Sequence, residues 1–239
     1  MRKVQILLLA NRELYNSVGF SYDKYVGCPI NNIRIYSDLG YDEIILLNVS
    51  RYSPNALDYE FLSRVVRAST VPISFGGGGT SLSTVKNLFR VGFDKVFVNS
   101  YKDLSIDELT KISSLSGMQS LGLCINYSHL RGFKIVDKID NHGNLSFGSK
   151  TIHEELLEII DLPIGEVLFQ NVDLDGTLKG VDSTFLNFIS NKKLPFQVLL
   201  SGGVVFSDYA NLELNDFISL AHGSSGIYIG NLRSVLPNI

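Results

Sequence analysis

The stretch VPISFGGGG, residues 71–79, joins a short run of β-forming residues to four consecutive glycines, and PFQVLLSGG, residues 195–203, repeats this order in the second half of the chain. Short apolar runs bounded by turn residues are typical of buried strands. Eight such runs follow one another: VQILLL (4–9), EIILLNV (43–49), VPISF (71–75), KVFVNS (95–100), SLGLCIN (120–126), EVLFQNV (166–172), FQVLLS (196–201) and GIYIG (226–230).

Segments with helical spacing separate most of these runs. Before the third run, for example, apolar residues stand at Phe61, Leu62, Val65 and Val66, which places them on one face of a helix. Strands that alternate with helices form a parallel sheet that is buried on both faces. Eight such units in a chain of this length predict a single (β/α)8 TIM barrel.

Two features add to this plan. Residues 132–150 alternate in polarity and turn at NHGN, which predicts a β-hairpin inserted before the helix that contains Glu154. The two halves of the chain also resemble each other, because DEIILLNV (42–49) matches GEVLFQNV (165–172) and the two glycine turns match as well. We therefore expect a two-fold half-barrel repeat.

Composition limits the class of protein. With 239 residues, 45% of them hydrophobic, the chain can bury one large core, so we expect one domain over residues 1–239. A net charge of −3 without a basic run gives no reason to expect a nucleic acid or membrane partner. Cys28 and Cys124 are too few and too far apart for a zinc cluster or a disulfide framework. We see no cleavable signal, and expect a cytoplasmic protein without metal or cofactor.

Glycines and asparagines at the predicted strand ends form two candidate phosphate sites. In a barrel the loops after the strands carry the site, and backbone N–H groups exposed by glycine can hold a phosphate. Two sites on opposite sides of the mouth would suit a ligand with a phosphate at each end, whereas tight turns are the alternative role of these glycines. The candidates are Gly77, Gly78, Asn99 and Ser100 on one side, and Gly202, Gly203, Gly230 and Asn231 on the other.

With these turns in place, NVDLDGTLKGVD (171–182) is similar to the cyclase subunit of imidazole glycerol phosphate synthase, and the resemblance runs over nearly the whole chain. It implies that the barrel receives ammonia from a glutaminase subunit at its N-terminal face and uses it at the opposite mouth. In that family two aspartates, at the ends of strands one and five, perform the acid–base chemistry. The matching positions are Leu8 and Asn126, which exchange no proton near neutral pH, so we expect the cyclase activity to be lost.

The same resemblance implies an ammonia gate, a ring of charged residues at the strand starts. The matching positions are Arg2, Glu43, Lys95 and Glu166. Counting by twos along strand one, Arg2 shares a face with Leu8, so an inward Leu8 implies an inward Arg2. Four crowded ionisable groups are costly unless they pair, which favours a conduit; ordinary surface charges at the strand entrances are the alternative.

A second resemblance concerns residues 7–49, which look like the cyclase-like proteins of surface-polysaccharide clusters. Those proteins carry an LLL strand and a Phe-x-x-x-x-Tyr-Val-Gly-x-Pro-Ile-Asn stretch, here FSYDKYVGCPIN at residues 20–31. This implies a glutaminase and a sugar amidotransferase as partners, with ammonia converting an N-acetyl group into an acetamidino group. Ala10 and Asn11 replace the Lys and Gly usual in this branch, which leaves the role of the first loop open.

Further polar residues have two possible roles. Asp173 and Asp175 could contact a ligand, since in the cyclase family an acid here lies in the site, or they could shape the loop as Asx-turns. Asp175 is the one acid that could replace the missing aspartates. Cys124 is expected to be a small core residue. The histidines lack metal spacing and are expected to be solvated: His129, His142, His153 and His222.

We therefore expect the synthase-like subunit of a glutamine-dependent amidotransferase system, which conducts ammonia from a glutaminase through the barrel to modify a sugar of a surface polysaccharide such as lipopolysaccharide. One alternative is a cyclase subunit of histidine biosynthesis with rearranged acids. The other is a non-catalytic scaffold that binds a phosphorylated small molecule or activates its glutaminase. Whether the chain is itself an enzyme stays open among these.

Overall fold

The computed structural model describes residues 2–50, 57–77, 81–99, 104–140, 143–212 and 216–223. Twelve strands lie in these ranges: β1 (Lys3–Ala10), β2 (Glu13–Val18), β3 (Ser21–Gly27), β4 (Glu43–Asn48), β5 (Ile73–Gly76), β6 (Lys95–Val98), β7 (Leu121–Ser128), β8 (Lys134–Ile139), β9 (Leu145–Thr151), β10 (Glu166–Asn171), β11 (Gln197–Ser201) and β12 (Ile218–His222). Eight of them, β1, β4 to β7 and β10 to β12, pair in parallel and close into the predicted TIM barrel.

Seven helices of the described residues surround the barrel: α1 (Pro29–Asp38), α2 (Tyr59–Val66), α3 (Leu82–Val91), α4 (Ile106–Ser116), α5 (Ile152–Ile159), α6 (Ser183–Ser190) and α7 (Phe206–Asn211). Short polar side chains begin several of them. The side chains of Ser105 and Thr151 each accept a backbone N–H, and Glu108 and Glu154 complete capping boxes at these two helix starts. In the part of the chain described, no helix combines the length and apolar character needed to cross a membrane.

The eighth barrel strand lies earlier in the chain than predicted. β12, Ile218–His222, pairs in parallel with both β11 and β1 and so closes the barrel. β12 therefore takes the place in the barrel that was predicted for residues 226–230, which lie outside the described ranges. The segment ISLAH escaped notice because Ser219 and His222 interrupt its apolar run, although both side chains are buried.

Two antiparallel hairpins stand at the mouth, the end of the barrel where the strands finish. The predicted hairpin is confirmed as β8 and β9, and β8 pairs with the end of β7. A second hairpin, β2 and β3, was not predicted. It follows β1 through a two-residue turn at Asn11 and Arg12, whose φ angles of 51° and 65° are those of a hairpin turn.

Apolar side chains form two cores. The larger lies between the strands and the helices and includes Phe75, Phe169 and Phe185. The smaller fills the barrel interior and consists of Val4, Ile6, Leu8, Ile45, Leu47, Phe97, Cys124, Leu168, Leu199 and Ala221. The alternation of these residues along each strand is that expected of strands buried on both faces.

Matching glycines follow a strand directly in each half of the barrel. Gly77 has a φ of +81°, and a Cβ on it would lie 2.2 Å from the backbone oxygen of Asn48. Gly202 has a φ of +94°, and a Cβ there would lie 2.3 Å from the backbone oxygen of Asn171. Only glycine allows this approach, and its recurrence agrees with the expected half-barrel repeat.

Candidate functional site

Four charged side chains form a closed ring at the floor of the barrel, the end where the strands begin. Arg2 donates to the carboxylates of Glu43, at 2.7 Å, and Glu166. Lys95 contacts the same two carboxylates, with its Nζ 3.3 Å from Glu43 Oε1. The structure thus brings together all four residues of the predicted ring, in the order Arg2, Glu43, Lys95, Glu166 with alternating sign. Arg2 faces inward, as the alternation along β1 required.

Burial makes these pairs more than surface contacts. Glu43 and Glu166 are 4% and 1% exposed, while the side chain of Arg2 is 35% exposed and so reaches solvent. Burial disfavours the charged guanidinium, but the carboxylates of Glu166 and Glu43 outweigh this effect and raise the pKa of Arg2. Each charge of the ring is thus compensated by two neighbours of opposite sign.

Ser74 is a fifth member of the ring that the sequence did not reveal. Its hydroxyl donates to Glu43 Oε1 at 2.6 Å, and the residue is fully buried at the start of β5. The alternation along β5, which points Ser74 inward, is the signal that could have found it. Glu43 is therefore held by three partners, Arg2, Lys95 and Ser74.

Above the ring, the interior is apolar as far as the mouth. There a small cleft with a cavity volume of about 30 Å³ opens, walled by apolar Ile6 and Leu8 and by polar Asn16, Gln170 and Ser201. Gln170 and Ser201 face inward near the ends of β10 and β11. Neither residue stands out in the sequence, although each continues the inward alternation of its strand.

The two positions that match the family's aspartates carry no acid in this cleft. Leu8 is buried in the interior core and lines the cleft wall. Asn126 lies on β7 in register with Gln170. Two carboxamides and a leucine therefore stand near the mouth, and none of them is an acid or base at neutral pH.

Asp175 lies in the cleft wall, but its carboxylate is engaged. It accepts hydrogen bonds from the Phe20 backbone N–H at 2.9 Å and from the Ser17 hydroxyl at 3.1 Å. Its backbone oxygen accepts from Gly19 N–H at 3.1 Å. Burial raises the pKa of Asp175, and these two hydrogen bonds to its carboxylate oppose the shift. Asp175 thus fastens the β2–β3 turn over the mouth.

Asp173 and Asp182 hold the neighbouring loops. Asp173 accepts from the Ser128 hydroxyl and from Leu130 N–H, both at 2.9 Å. Asp182 begins α6 and accepts from His129, Asn171 and Tyr127. These contacts join the ends of β7 and β10. Asp173 and Asp182 therefore shape the loops through contacts between strands rather than through Asx-turns.

The expectation of solvated histidines was wrong for His222, which is 4% exposed. Its ring stacks on Phe206 and contacts Tyr41 and Tyr209, and burial lowers the pKa of His222 to about 4. His129 is partly exposed but bonded to Asp182. Cys124 is buried as predicted, and burial raises the pKa of its thiol to about 12. His142 lies outside the described residues.

The candidate phosphate residues are only partly described. Gly202 and Gly203 line the mouth cleft, together with Gly223, which follows β12. Gly77 follows β5 in the opposite half, and Asn99 is exposed after β6. Gly78, Ser100, Gly230 and Asn231 lie outside the described residues. Within the described ranges, no three His, Cys, Asp or Glu side chains are grouped as a metal site.

The chain is similar to known proteins along most of its length. A family model described as "Histidine biosynthesis protein" matches residues 11–232. The "Putative imidazole glycerol phosphate synthase subunit hisF2" of Pseudomonas aeruginosa is 30% identical over 98% of this chain and 94% of its own length. A similarly named protein of Leptospira borgpetersenii is 26% identical over 99% and 94%. The "Imidazole glycerol phosphate synthase subunit HisF" of Bacillus subtilis is 28% identical over 84% and 80%.

The matched region includes the residues of the mouth cleft other than Ile6 and Leu8, and three members of the ring, Glu43, Lys95 and Glu166. The match thus covers most of the chain. It includes most of the barrel strands and the glycine turns that follow them. This chain belongs to the family of histidine biosynthesis proteins.

Proposed function

We propose that this chain is the synthase-like subunit of a glutamine-dependent amidotransferase, and that it conducts ammonia from a glutaminase at the barrel floor to an acceptor at the mouth. The closed ring of Arg2, Glu43, Lys95 and Glu166 is the observation that carries the proposal. A buried ring of four charges is rarely retained for stability alone, because apolar replacements are often as stable. Control of the entrance to the barrel is a function that accounts for the ring.

The apolar interior supports the same proposal. Ammonia is small and uncharged when it moves, so an apolar path disfavours ammonium and water relative to ammonia. The Lys95 side chain is the mobile member of the ring, because its stem is long and its single ammonium can leave one carboxylate at a time.

The acceptor follows from the mouth and from the resemblance to polysaccharide-cluster proteins. Leu8 and Asn126 offer no proton transfer, and the Asp175 carboxylate is occupied by Phe20 and Ser17. We therefore place the acceptor chemistry on a partner sugar amidotransferase, where ammonia converts an N-acetyl group of a surface-polysaccharide sugar into an acetamidino group. Histidine-pathway cyclisation is the alternative, and it needs an acid that these residues lack.

The test is an isotope competition in the reconstituted system. The chain is combined with a glutaminase, with a sugar amidotransferase, and with a nucleoside-diphosphate sugar that carries an N-acetyl group. Amide-15N glutamine is supplied together with excess 14N ammonium. Ammonia carried inside the barrel keeps the 15N label, whereas ammonia that escapes mixes with the 14N pool. The measured quantity is the 15N fraction of the new acetamidino nitrogen.

We expect a high 15N fraction in the wild type and a fraction near that of the bulk ammonium in Lys95→Ala, with glutamine hydrolysis retained. Lys134→Ala, in the β8–β9 hairpin at the mouth, is the matched control and should keep the wild-type value. An unchanged 15N fraction in Lys95→Ala, with a normal melting curve, favours the non-catalytic scaffold. Cyclisation of the histidine-pathway substrate at the rate of an aspartate-bearing synthase favours the cyclase.

A further inference from the structure

Phe97 is the single aromatic residue of the interior core among the described residues. It lies two residues after Lys95 on β6, so both side chains point into the barrel. Its ring is 1% exposed and lies above the floor ring. The other members of that core are aliphatic side chains and one cysteine.

Glycines flank Phe97 on both neighbouring strands. In the sheet register, Gly76 of β5 pairs with Phe97 on one side and Gly122 of β7 pairs with it on the other. A Cβ on Gly122 would lie 2.6 Å from both Cδ1 and Cε1 of the Phe97 ring. A Cβ on Gly76 would lie 3.3 Å from Phe97 Cβ and 2.6 Å from Leu47 Cδ2. Glycine within a strand commonly marks a close approach of another group.

The aromatic ring and the floor ring are in contact. The Lys95 Nζ lies 5.6 Å from the centroid of the Phe97 ring, within the range of a cation–π interaction. The same Nζ is bonded to Glu43 and Glu166. When Lys95 swings away from its carboxylates, it therefore also leaves the face of the phenyl ring.

We propose that Phe97 is a second gate of the ammonia conduit, placed directly above the charged ring in the slot left by the absent side chain of Gly122. This inference rests on the proposed function and adds a residue to it. The ring closes the interior while Lys95 lies beneath it, and it turns within the glycine slot when Lys95 moves. Ammonia entering the barrel thus passes a charged gate and then an aromatic gate that open together.

The glycines provide the sharpest test, because the slot can be filled without touching the charged ring. Gly122→Ala places a methyl group where the Phe97 ring now lies, so it pushes the ring into the interior. Phe97→Trp narrows the same passage by enlarging the ring. In the isotope competition with amide-15N glutamine, we expect each variant to lower the ratio of 15N to 14N in the acetamidino nitrogen by at least about fivefold. This corresponds to a rise of about 1 kcal/mol in the barrier to passage of ammonia through the barrel.

A double variant distinguishes a gate from general damage. Gly122→Ala should lower the 15N fraction in the wild-type background but cause no further change in a Phe97→Ala background, since the methyl group then has room. Phe169→Trp is the matched control, because Phe169 is equally buried but faces the outer core. Enlarging that ring should leave the 15N fraction unchanged even where it lowers the melting temperature.

The outcomes separate the two proposals. If Lys95→Ala lowers the 15N fraction while Phe97→Trp and Gly122→Ala do not, the charged ring gates the conduit and the aromatic gate is wrong. If Lys95→Ala leaves the fraction unchanged, the proposed function itself fails. If Gly122→Ala does not fold, Phe97→Trp decides, because it adds volume to an existing side chain and keeps both glycines.

Discussion

The carboxylate of Asp175 accepts a hydrogen bond from the backbone N–H of Phe20 at 2.9 Å, across 155 residues of sequence. Phe20 has a φ of +65°, in the left-handed region, and follows Gly19 in the turn between β2 and β3. A residue other than glycine rarely adopts this backbone conformation unless its surroundings hold it there. Asp175 supplies that fixation and fastens the hairpin over the mouth cleft.

Asp175→Ala should therefore release the hairpin. The buried Phe20 N–H loses its acceptor, which typically costs about 1–3 kcal/mol. We expect faster amide exchange at residues 17–20, measured by hydrogen–deuterium exchange, with the barrel strands β4 and β10 protected as before. Asp161→Ala removes an exposed carboxylate and is the control. Equal protection of the hairpin in both variants would contradict the role given to Asp175.

The charged ring gives a prediction about stability. Glu166→Gln leaves Arg2 and Lys95 with one shared carboxylate, and breaking a buried pair in this way costs about 3 kcal/mol or more. Urea unfolding should show this as a lower midpoint with an unchanged slope. Glu158→Gln breaks an exposed pair with Lys150 and should change the midpoint little.

Replacing the whole ring gives the complementary result. With Arg2→Met, Glu43→Leu, Lys95→Met and Glu166→Leu combined, no charge is left uncompensated, so most of the lost stability should return. The 15N fraction in the isotope competition should nevertheless fall to that of the bulk ammonium. A ring retained for stability alone would show the opposite pattern.

His222 predicts loss of stability in mild acid. The folded chain keeps the imidazole neutral down to its pKa of about 4, because burial outweighs the attraction of Asp208, whereas the unfolded chain protonates near pH 6.5. The contribution is therefore complete above pH 6.5 and disappears as the pH falls toward 4. It amounts to about 3 kcal/mol. His222→Asn should flatten the pH dependence of the unfolding free energy in this interval, and an unaltered slope would count against a neutral His222.

Phosphate binding is tested by thermal protection. A bisphosphorylated sugar at about 100 times its dissociation constant should stabilise the fold by about 2.7 kcal/mol. This corresponds to a rise in melting temperature of roughly 5–10 °C for a domain of this size. Asn99→Ala should reduce the shift, whereas Asn187→Ala, exposed on α6, should not. If millimolar bisphosphate leaves the wild-type melting temperature unmoved, the glycines only form turns.

Much of the barrel could be predicted because most of its strands are recognisable in the sequence as apolar runs. Seven of the eight were placed correctly, and the eighth was displaced because Ser219 and His222 are polar residues that only packing shows to be buried. The β2–β3 hairpin was missed for another reason. Its turn depends on Asp175, a residue far away in sequence, so no local pattern specifies it.

The residues of the site were predictable where they follow from the alternation of side chains along a strand. Arg2 follows from the alternation along β1, and the ring then follows from the strand starts. Ser74 and Phe97 obey the same alternation, but a serine and a phenylalanine at a strand start are common enough that the pattern singles out neither. Their importance comes from a 2.6 Å contact and from flanking glycines, which depend on sheet register.

The alternation of sign around the floor has a consequence for how the entrance responds to its surroundings. Two positive and two negative groups at the corners of a small circuit sum to zero and resemble an electric quadrupole, whose potential decays much faster with distance than that of a single charge. Such an entrance attracts neither cations nor anions from afar, so delivery depends on a docked source rather than on capture from solution. Because its members are close and largely buried, dissolved salt screens them weakly. Ammonia transfer within an assembled complex should therefore be nearly insensitive to ionic strength, even where assembly of that complex is not.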